Sequence, residues 1–190
     1  MRKVPLHLEN PIDNLIYDYM VEPLCDFFSL MNATPNIITT IKNLFVLFSI
    51  YCLYYKQTIL SATTLLISYI LDDVDGYYAR KYNMTSKFGE KYDHYSDIIL
   101  YGCEGLLLYI KYWNKYTTML GRIWWLCFVL SCIIINQIHH SYYEKVAQGD
   151  STITLLNHIT IEKATERLKY FRWVGSGTLI LVMGGMILHI

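Results

Sequence analysis

This chain has no excess of either charge. Sixteen Lys and Arg residues balance sixteen Asp and Glu residues over 190 positions, and no block of basic residues or Arg-aromatic interleaving stands out. Without such a stripe the electrostatic footprint of a nucleic-acid binder is missing, and that class is set aside. Five cysteines, Cys25, Cys52, Cys103, Cys127 and Cys132, sit singly, with no CxxC pair and no His cluster at ligand spacing. They read as packed thiols, neither disulfides nor zinc ligands. The opening MRKVPLHLENPIDN has Pro and acids where a secretory signal needs its apolar region, which predicts that nothing is cleaved and that the first helix carries targeting. Internal repeats and low-complexity linkers are also absent.

What the chain has is apolar length. Hydrophobic residues make up 54% of it, more than a soluble core of this size requires. Apolar segments at 37–56, 58–78, 92–112, 118–139 and 171–190 each approach the ~20 residues that cross a hydrocarbon layer of ~30 Å. The expected fold is all-α, a multi-pass transmembrane bundle of five to six spans. The sixth would be hidden in STITLLNHITI. Thr34 and Pro35 suit an N-cap and first-turn pair opening the first span. Before them, NPIDNLIYDYMVEPLCDFFSLM mixes apolar residues with acids and carries Pro23, which suits an interfacial amphipathic helix that bends once. Residues 1–33 are therefore expected to form an N-terminal interfacial segment and 34–190 the transmembrane domain.

Arg2, Lys3, Arg80, Lys81, Lys87, Lys91, Lys145, Lys163, Arg167, Lys169 and Arg172 fall on one side of this arrangement. Only Lys56, Lys111 and Lys115 fall on the other, which puts the N-terminus in the cytosol. Ile161, Ala164, Leu168 and Phe171 recur at helical spacing and predict an amphipathic lead-in to the last span. Gly177 and Gly184 share a face of that span, open equally to intramolecular packing and to a dimer seam.

Between the second and third spans runs LDDVDGYYARKYNMTSKFGEKYDHYSD, residues 71–97. If the second span stays helical past its membrane end, Asp72, Asp75 and Ala79 line one face, and Asp93 and Asp97 follow Gly89 at i+4 steps on the next helix. Four carboxylates then meet in one groove at the cytosolic ends of two neighbouring helices, and such charge calls for cations. Oxygen ligands without His or Cys point to two Mg²⁺ or Mn²⁺ ions, which in pairs clamp phosphoryl oxygens during in-line displacement. Gly76 and Ala79 clear side-chain bulk for a nucleotide or diphosphate, Gly89 does so on the opposite helix, and Arg80 offers a planar fork to phosphate. Asp73 is turned away as an interfacial charge. Asn36 and Asn43 share a face of the first span and are placed to meet a donor's base, with helix–helix bonding the plainer role for Asn43. Glu104, seven after Asp97, either lines an acceptor pocket or pairs with Lys42 or Arg122. His139 and His140 read as interfacial anchors.

The spacing D-x2-D-G-x2-A-R-x8-G-x3-D-x3-D, from Asp72 to Asp97, resembles the signature of the CDP-alcohol phosphotransferase family. TPNIITT resembles that family's usual first helix, and the likeness covers about residues 34–140. The resemblance implies a membrane enzyme of phospholipid synthesis that transfers a substituted phosphoryl group from a CDP-linked donor to an alcohol and releases CMP. It implies Asp72, Asp75, Asp93 and Asp97 as metal ligands, Asp97 also as the base for the attacking hydroxyl, and Gly76, Ala79, Arg80 and Gly89 as the CDP-binding set. A metal-bound Asp97 is a weakened base, so His94, on its side of the helix, is the second candidate. The Asp93-His94 dipeptide resembles the choline and ethanolamine branch, with diacylglycerol as acceptor. The alternative is a CDP-diacylglycerol donor with inositol or another polar alcohol, and the more distant one a non-enzymatic membrane scaffold. By the same likeness the partners are the donor, a lipid or alcohol acceptor and a second copy of the chain, and the eukaryotic location is the endoplasmic reticulum.

Overall fold

The computed structural model describes residues 3–116, 118–147 and 160–190. The expectation of a span hidden in STITLLNHITI falls almost wholly on residues outside that set. All regular structure among the described residues is helical: α1 Pro11–Ile16, a π turn Tyr17–Val21, α2 Glu22–Leu30, α3 Pro35–Tyr54, α4 Thr58–Lys81, α5 Lys87–Lys115, α6 Met119–Ala147, α7 Ile161–Phe171, a 3₁₀ turn Arg172–Val174 and α8 Ser176–Leu188. Among the described residues three stretches are long and apolar enough to cross a membrane: Pro35–Tyr54, Met119–Ala147 and Ile161–Leu188. α4 and α5 carry the acidic stretch, which dilutes their hydropathy, yet α5 turns Ile99, Leu106 and Ile110 outward.

Two compact units emerge. The first comprises Leu15–Tyr116 with Ile180–Ile190, and the second draws on the chain before Leu15 and on the segment between Tyr116 and Ile180.

In the first unit α3 is the central helix, packed along α4 and along α5. Its partners reveal the direction of each neighbour. Thr39 bonds Asp75, Lys42 bonds Asp72 and Ser49 bonds Ser61, so partners descend along α4 as α3 ascends, an antiparallel pair. Lys42 bonds Asp97 and Ser49 bonds Glu104, each 55 residues apart, so α3 and α5 run parallel and in register. The turns are tight because Asn32, Lys56 and Asn83 adopt positive φ of 51°, 60° and 54° after α2, α3 and α4. Asparagine tolerates that region better than most residues, whereas Lys56 adopts it at a cost in strain.

α3 starts at Pro35 as expected, but the Thr34 side chain makes no capping bond. The Thr34 carbonyl instead receives the amides of Ile37 and Ile38, and Tyr78 holds the preceding turn by donating to the Ala33 carbonyl at 2.9 Å. At α5 the cap is made by a side chain, Ser86 accepting from the Gly89 amide at 3.0 Å.

Just before Pro23, where a bend is expected, the helix widens into the π turn Tyr17–Val21. Proline has no N–H to donate and crowds the carbonyl one turn before it, and widening that turn relieves the conflict. Tyr17, Val21, Cys25 and Phe28 then face Ile38 of α3 and Leu71, Val74 and Tyr78 of α4 in one apolar cluster. Each of these α4 positions precedes one of Asp72, Asp75 and Ala79 by a single residue, so the N-terminal segment packs against the flank of α4 next to the acidic face.

In the second unit α7 is capped by Thr160 and buries Ala164 and Leu168 against Leu8 and Tyr142. This is the amphipathic packing its periodicity predicts. His139 is buried, with its ring lying where a side chain on Gly175 would project, at 2.9 Å. That corrects the expectation of an interfacial anchor: the missing side chain at Gly175 leaves room for the imidazole. Gly177 likewise admits Asp13 and Ile12, whereas Gly184 has nothing within 4 Å. The glycine face of the last helix is therefore used for intramolecular packing at one end and is open at the other.

Candidate active site

The acidic stretch falls on the C-terminal half of α4 and the N-terminal half of α5, and α3 brings the two together. Asp72, Asp75 and Asp93 each offer a carboxylate oxygen within 4.8 Å of the others. Asp97, one turn beyond Asp93, joins them through a shared partner, the Lys42 ammonium. Lys42 donates to Asp72 Oδ1 at 2.7 Å, to Asp97 Oδ1 at 2.5 Å and to Asp93 Oδ1. Asp75, buried, accepts from Thr39 Oγ1 at 2.7 Å. The sequence pattern predicts two helices meeting face to face; the structure inserts a third, α3, which contributes the Thr39 hydroxyl and the Lys42 cation.

Exposure divides the site into a floor and a mouth. The Lys42 side chain is 0% exposed, while the side chains of Asp72, Asp93 and Asp97 are 27%, 35% and 29% exposed. The carboxylates open outward and the ammonium closes the inner side. Four aspartates against one lysine leave a formal charge of minus three. Oxygen donors with that residual charge fit hard divalent cations such as Mg²⁺ or Mn²⁺.

The other expected residues take clear positions. A side chain at Gly76 would meet Arg80 Nη1 at 3.2 Å, so Gly76 lets the guanidinium fold back along α4, with Ala79 half-buried beside it. A side chain at Gly89 would meet Asn36 Oδ1 at 2.8 Å and Ser86 Oγ at 3.0 Å. Gly89 thus permits close approach of the first turns of α3 and α5 and brings two of the expected donor-binding residues together. Asn43 donates to the Tyr92 hydroxyl at 3.3 Å, the helix–helix bond judged its plainer role. Asp73 is half-buried and lies outside the Lys42 cluster. His94 is exposed, its ring 5.9 Å from that of Tyr95, and it is not among the groups gathered by Lys42.

Glu104 departs from the pairing expected of it. Fully buried, it accepts from Ser49 Oγ at 2.5 Å, and Ser49 also meets Ser61 Oγ at 3.1 Å. Lys42 lies two turns nearer the α3 N-terminus and is taken up by the aspartates. Lys42 and Thr39 were the residues missed as site members. The available signal was their spacing: both are one to two turns past Pro35, and Lys42 stands out as a charge in an apolar run.

On the other side of α3 and α4 a cavity of about 500 Å³ opens against the N-terminal segment, lined by Pro23, Leu24, Phe28, Ile41, Phe45, Ile70 and other apolar residues.

The family described as CDP-alcohol phosphatidyltransferase matches residues 32–189. An uncharacterized protein of Aquifex aeolicus is 32% identical over 94 residues, 47% of this chain and 48% of that protein. A CDP-diacylglycerol–glycerol-3-phosphate 3-phosphatidyltransferase of Rickettsia typhi is 32% identical over 84 residues, 43% of this chain and 47% of that protein. A CDP-diacylglycerol–serine O-phosphatidyltransferase of Helicobacter pylori is 34% identical over 74 residues, 39% of this chain and 31% of that protein. The matches span about half the length of the first two relatives and less of the third. No solved structure matches.

Proposed function

The chain belongs to the CDP-alcohol phosphatidyltransferase family, and on that premise we propose that it transfers a phosphatidyl group from CDP-diacylglycerol to a small polar alcohol, releasing CMP. The observation that carries this reading is the gathering of Asp72, Asp75 and Asp93 within 4.8 Å at the meeting of α3, α4 and α5. The choice of donor rests on the relatives whose printed names give a substrate, which take CDP-diacylglycerol. They favour this over the choline and ethanolamine reading suggested by Asp93-His94. The depression beside α3 and α4 is open and lined by apolar residues, a surface that suits acyl chains.

In this reading Asp72, Asp75, Asp93 and Asp97 hold divalent metal, which when bound polarises the diphosphate and offsets charge on the departing CMP. Arg80 is positioned to take phosphate oxygens, and Gly76 and Ala79 leave room for the diphosphate along α4. Asn36, drawn against Gly89, presents an amide for the cytosine or ribose. The acceptor hydroxyl attacks the phosphatidyl phosphorus, the anhydride bond to CMP breaks, and the hydroxyl proton passes to a base. Asp97 is the better-placed acceptor, because it lies within the cluster while His94 is exposed. The acceptor is expected to be anionic or zwitterionic, by analogy with glycerol 3-phosphate and serine in the relatives.

The test is an assay of purified protein in lipid nanodiscs, following CMP release. CDP-diacylglycerol with glycerol 3-phosphate, serine and inositol is run against CDP-choline and CDP-ethanolamine with diacylglycerol. Release dependent on CDP-diacylglycerol and one polar alcohol is expected. Release only with a CDP-amino-alcohol and diacylglycerol would overturn the donor assignment.

A further inference from the structure

Lys42 has an unusual place for a charged side chain. It is 0% exposed, lies two turns into the membrane-spanning helix α3, and contacts one oxygen from each of three aspartates on two other helices. A buried ammonium is costly unless it is fully paired, and here the pairing is what joins three helix ends. Asp72, Asp93 and Asp97 would otherwise repel one another across the groove.

We propose that Lys42 is a built-in counter-cation of the carboxylate cluster, holding α3, α4 and α5 together when no metal is bound and weakening divalent-metal binding by its own charge. The inference rests on the metal reading of the site. Lys42 takes only Oδ1 of each aspartate, and these side chains remain partly open on the outer side. Protein and metal thus share the same acids from opposite sides, and two cations at such close quarters oppose each other. Lys42 is therefore a positioning residue: it keeps the acids assembled for the ion and limits how tightly the ion is held.

The experiment compares wild type, Lys42→Met and Lys42→Arg as full chains in nanodiscs, all purified in Mn²⁺. Mn²⁺ affinity is read by electron paramagnetic resonance, and thermal unfolding is recorded with Mn²⁺ and after chelation. Lys42→Met is expected to bind Mn²⁺ at least about tenfold more tightly than wild type, since a repelling charge has gone. Its melting temperature should also fall further on chelation than that of wild type. Lys42→Arg keeps the charge and should restore wild-type behaviour in both readouts. A Lys42→Met protein that survives only in Mn²⁺ supports the proposal, because metal then replaces the lost cation. Equal Mn²⁺ affinity and equal chelation shifts in wild type and Lys42→Met overturn the counter-cation role while leaving the metal reading intact. No Mn²⁺ binding by either protein removes the metal reading itself, and this inference with it.

Discussion

At the scale of single residues, neighbouring aspartates are assigned opposite fates by one step of helical phase. Asp72 and Asp75 face the groove shared with Asp93, whereas Asp73 lies outside it. Asp93→Asn is expected to abolish CMP release, and Asp73→Asn to leave it within about twofold, as for a residue away from the reacting groups. Equal losses would show that the groove has been drawn on the wrong face. The two candidate bases separate in the same assay. Asp97→Asn should cost on the order of 10²–10⁴ in kcat, the range of a lost general base, while His94→Gln should cost little. Gly89 permits a third comparison. Alanine in a helix is favoured over glycine by roughly 0.5–1 kcal/mol, enough to offset the displacement of a rotatable amide. Gly89→Ala should therefore fold normally yet weaken donor binding, because the new methyl pushes on Asn36, which would stand 2.8 Å away. Gly102→Ala on the same helix, with nothing within 4 Å, should leave both unchanged. Circular dichroism and a cytidine-nucleotide binding isotherm distinguish the pair.

Among the elements, α3 sets the vertical register of its neighbours, and this explains what was readable beforehand. The four aspartates were legible because their i+3 and i+4 steps need only a local helix. Pro35 as the helix start was legible for the same reason. The partner of Lys42 was not. Both Asp97 and Glu104 lie on the α5 face toward α3, and only the depth of α5 along α3 decides which of them meets Lys42 and which meets Ser49. That depth is a tertiary quantity, and the constant 55-residue offset of the two pairs fixes it. Thr34 takes the N-cap position as expected without a side-chain bond, while Tyr78 from α4 holds the preceding turn through the Ala33 carbonyl, a contact that local pattern does not reveal. The Ser49–Glu104 bond then becomes a test of register. Ser49→Ala leaves a buried carboxyl without its donor and should cost about 1–3 kcal/mol, as should Glu104→Ala. Glu104→Gln keeps a group able to bond Ser49 and should cost less than either, measured by denaturant unfolding in mixed micelles. Cys25 reports on the neighbouring brace: burial pushes its thiol up to about 11, and its Sγ lies 3.9 Å from the Val74 carbonyl. It should resist alkylation near neutral pH until the N-terminal segment leaves α4.

For the whole molecule, three candidate spans and the family make the chain an integral membrane protein, and the remaining question is which way the site faces. In the proposed reaction the product is a soluble nucleotide, which would require the carboxylates to meet the compartment that supplies and removes cytidine nucleotides. The loop charges point the same way. Arg80, Lys81, Lys87 and Lys91 flank the α4–α5 turn, whereas the α3–α4 turn carries only Lys56, a bias that holds basic loops in the cytosol. Lys81 bonds Asp26 at 2.7 Å, which raises its affinity for a proton and ties the N-terminal segment to the same end of α4. The expectation is testable with a membrane-impermeant maleimide on sealed vesicles of cytosolic-face-out orientation. Met84→Cys, exposed in the α4–α5 turn, should label at once, whereas Gln57→Cys, exposed in the α3–α4 turn, should label only after permeabilisation. The reverse pattern would turn the active site away from the cytosol and leave CMP on the side of the membrane where the charge bias does not place it.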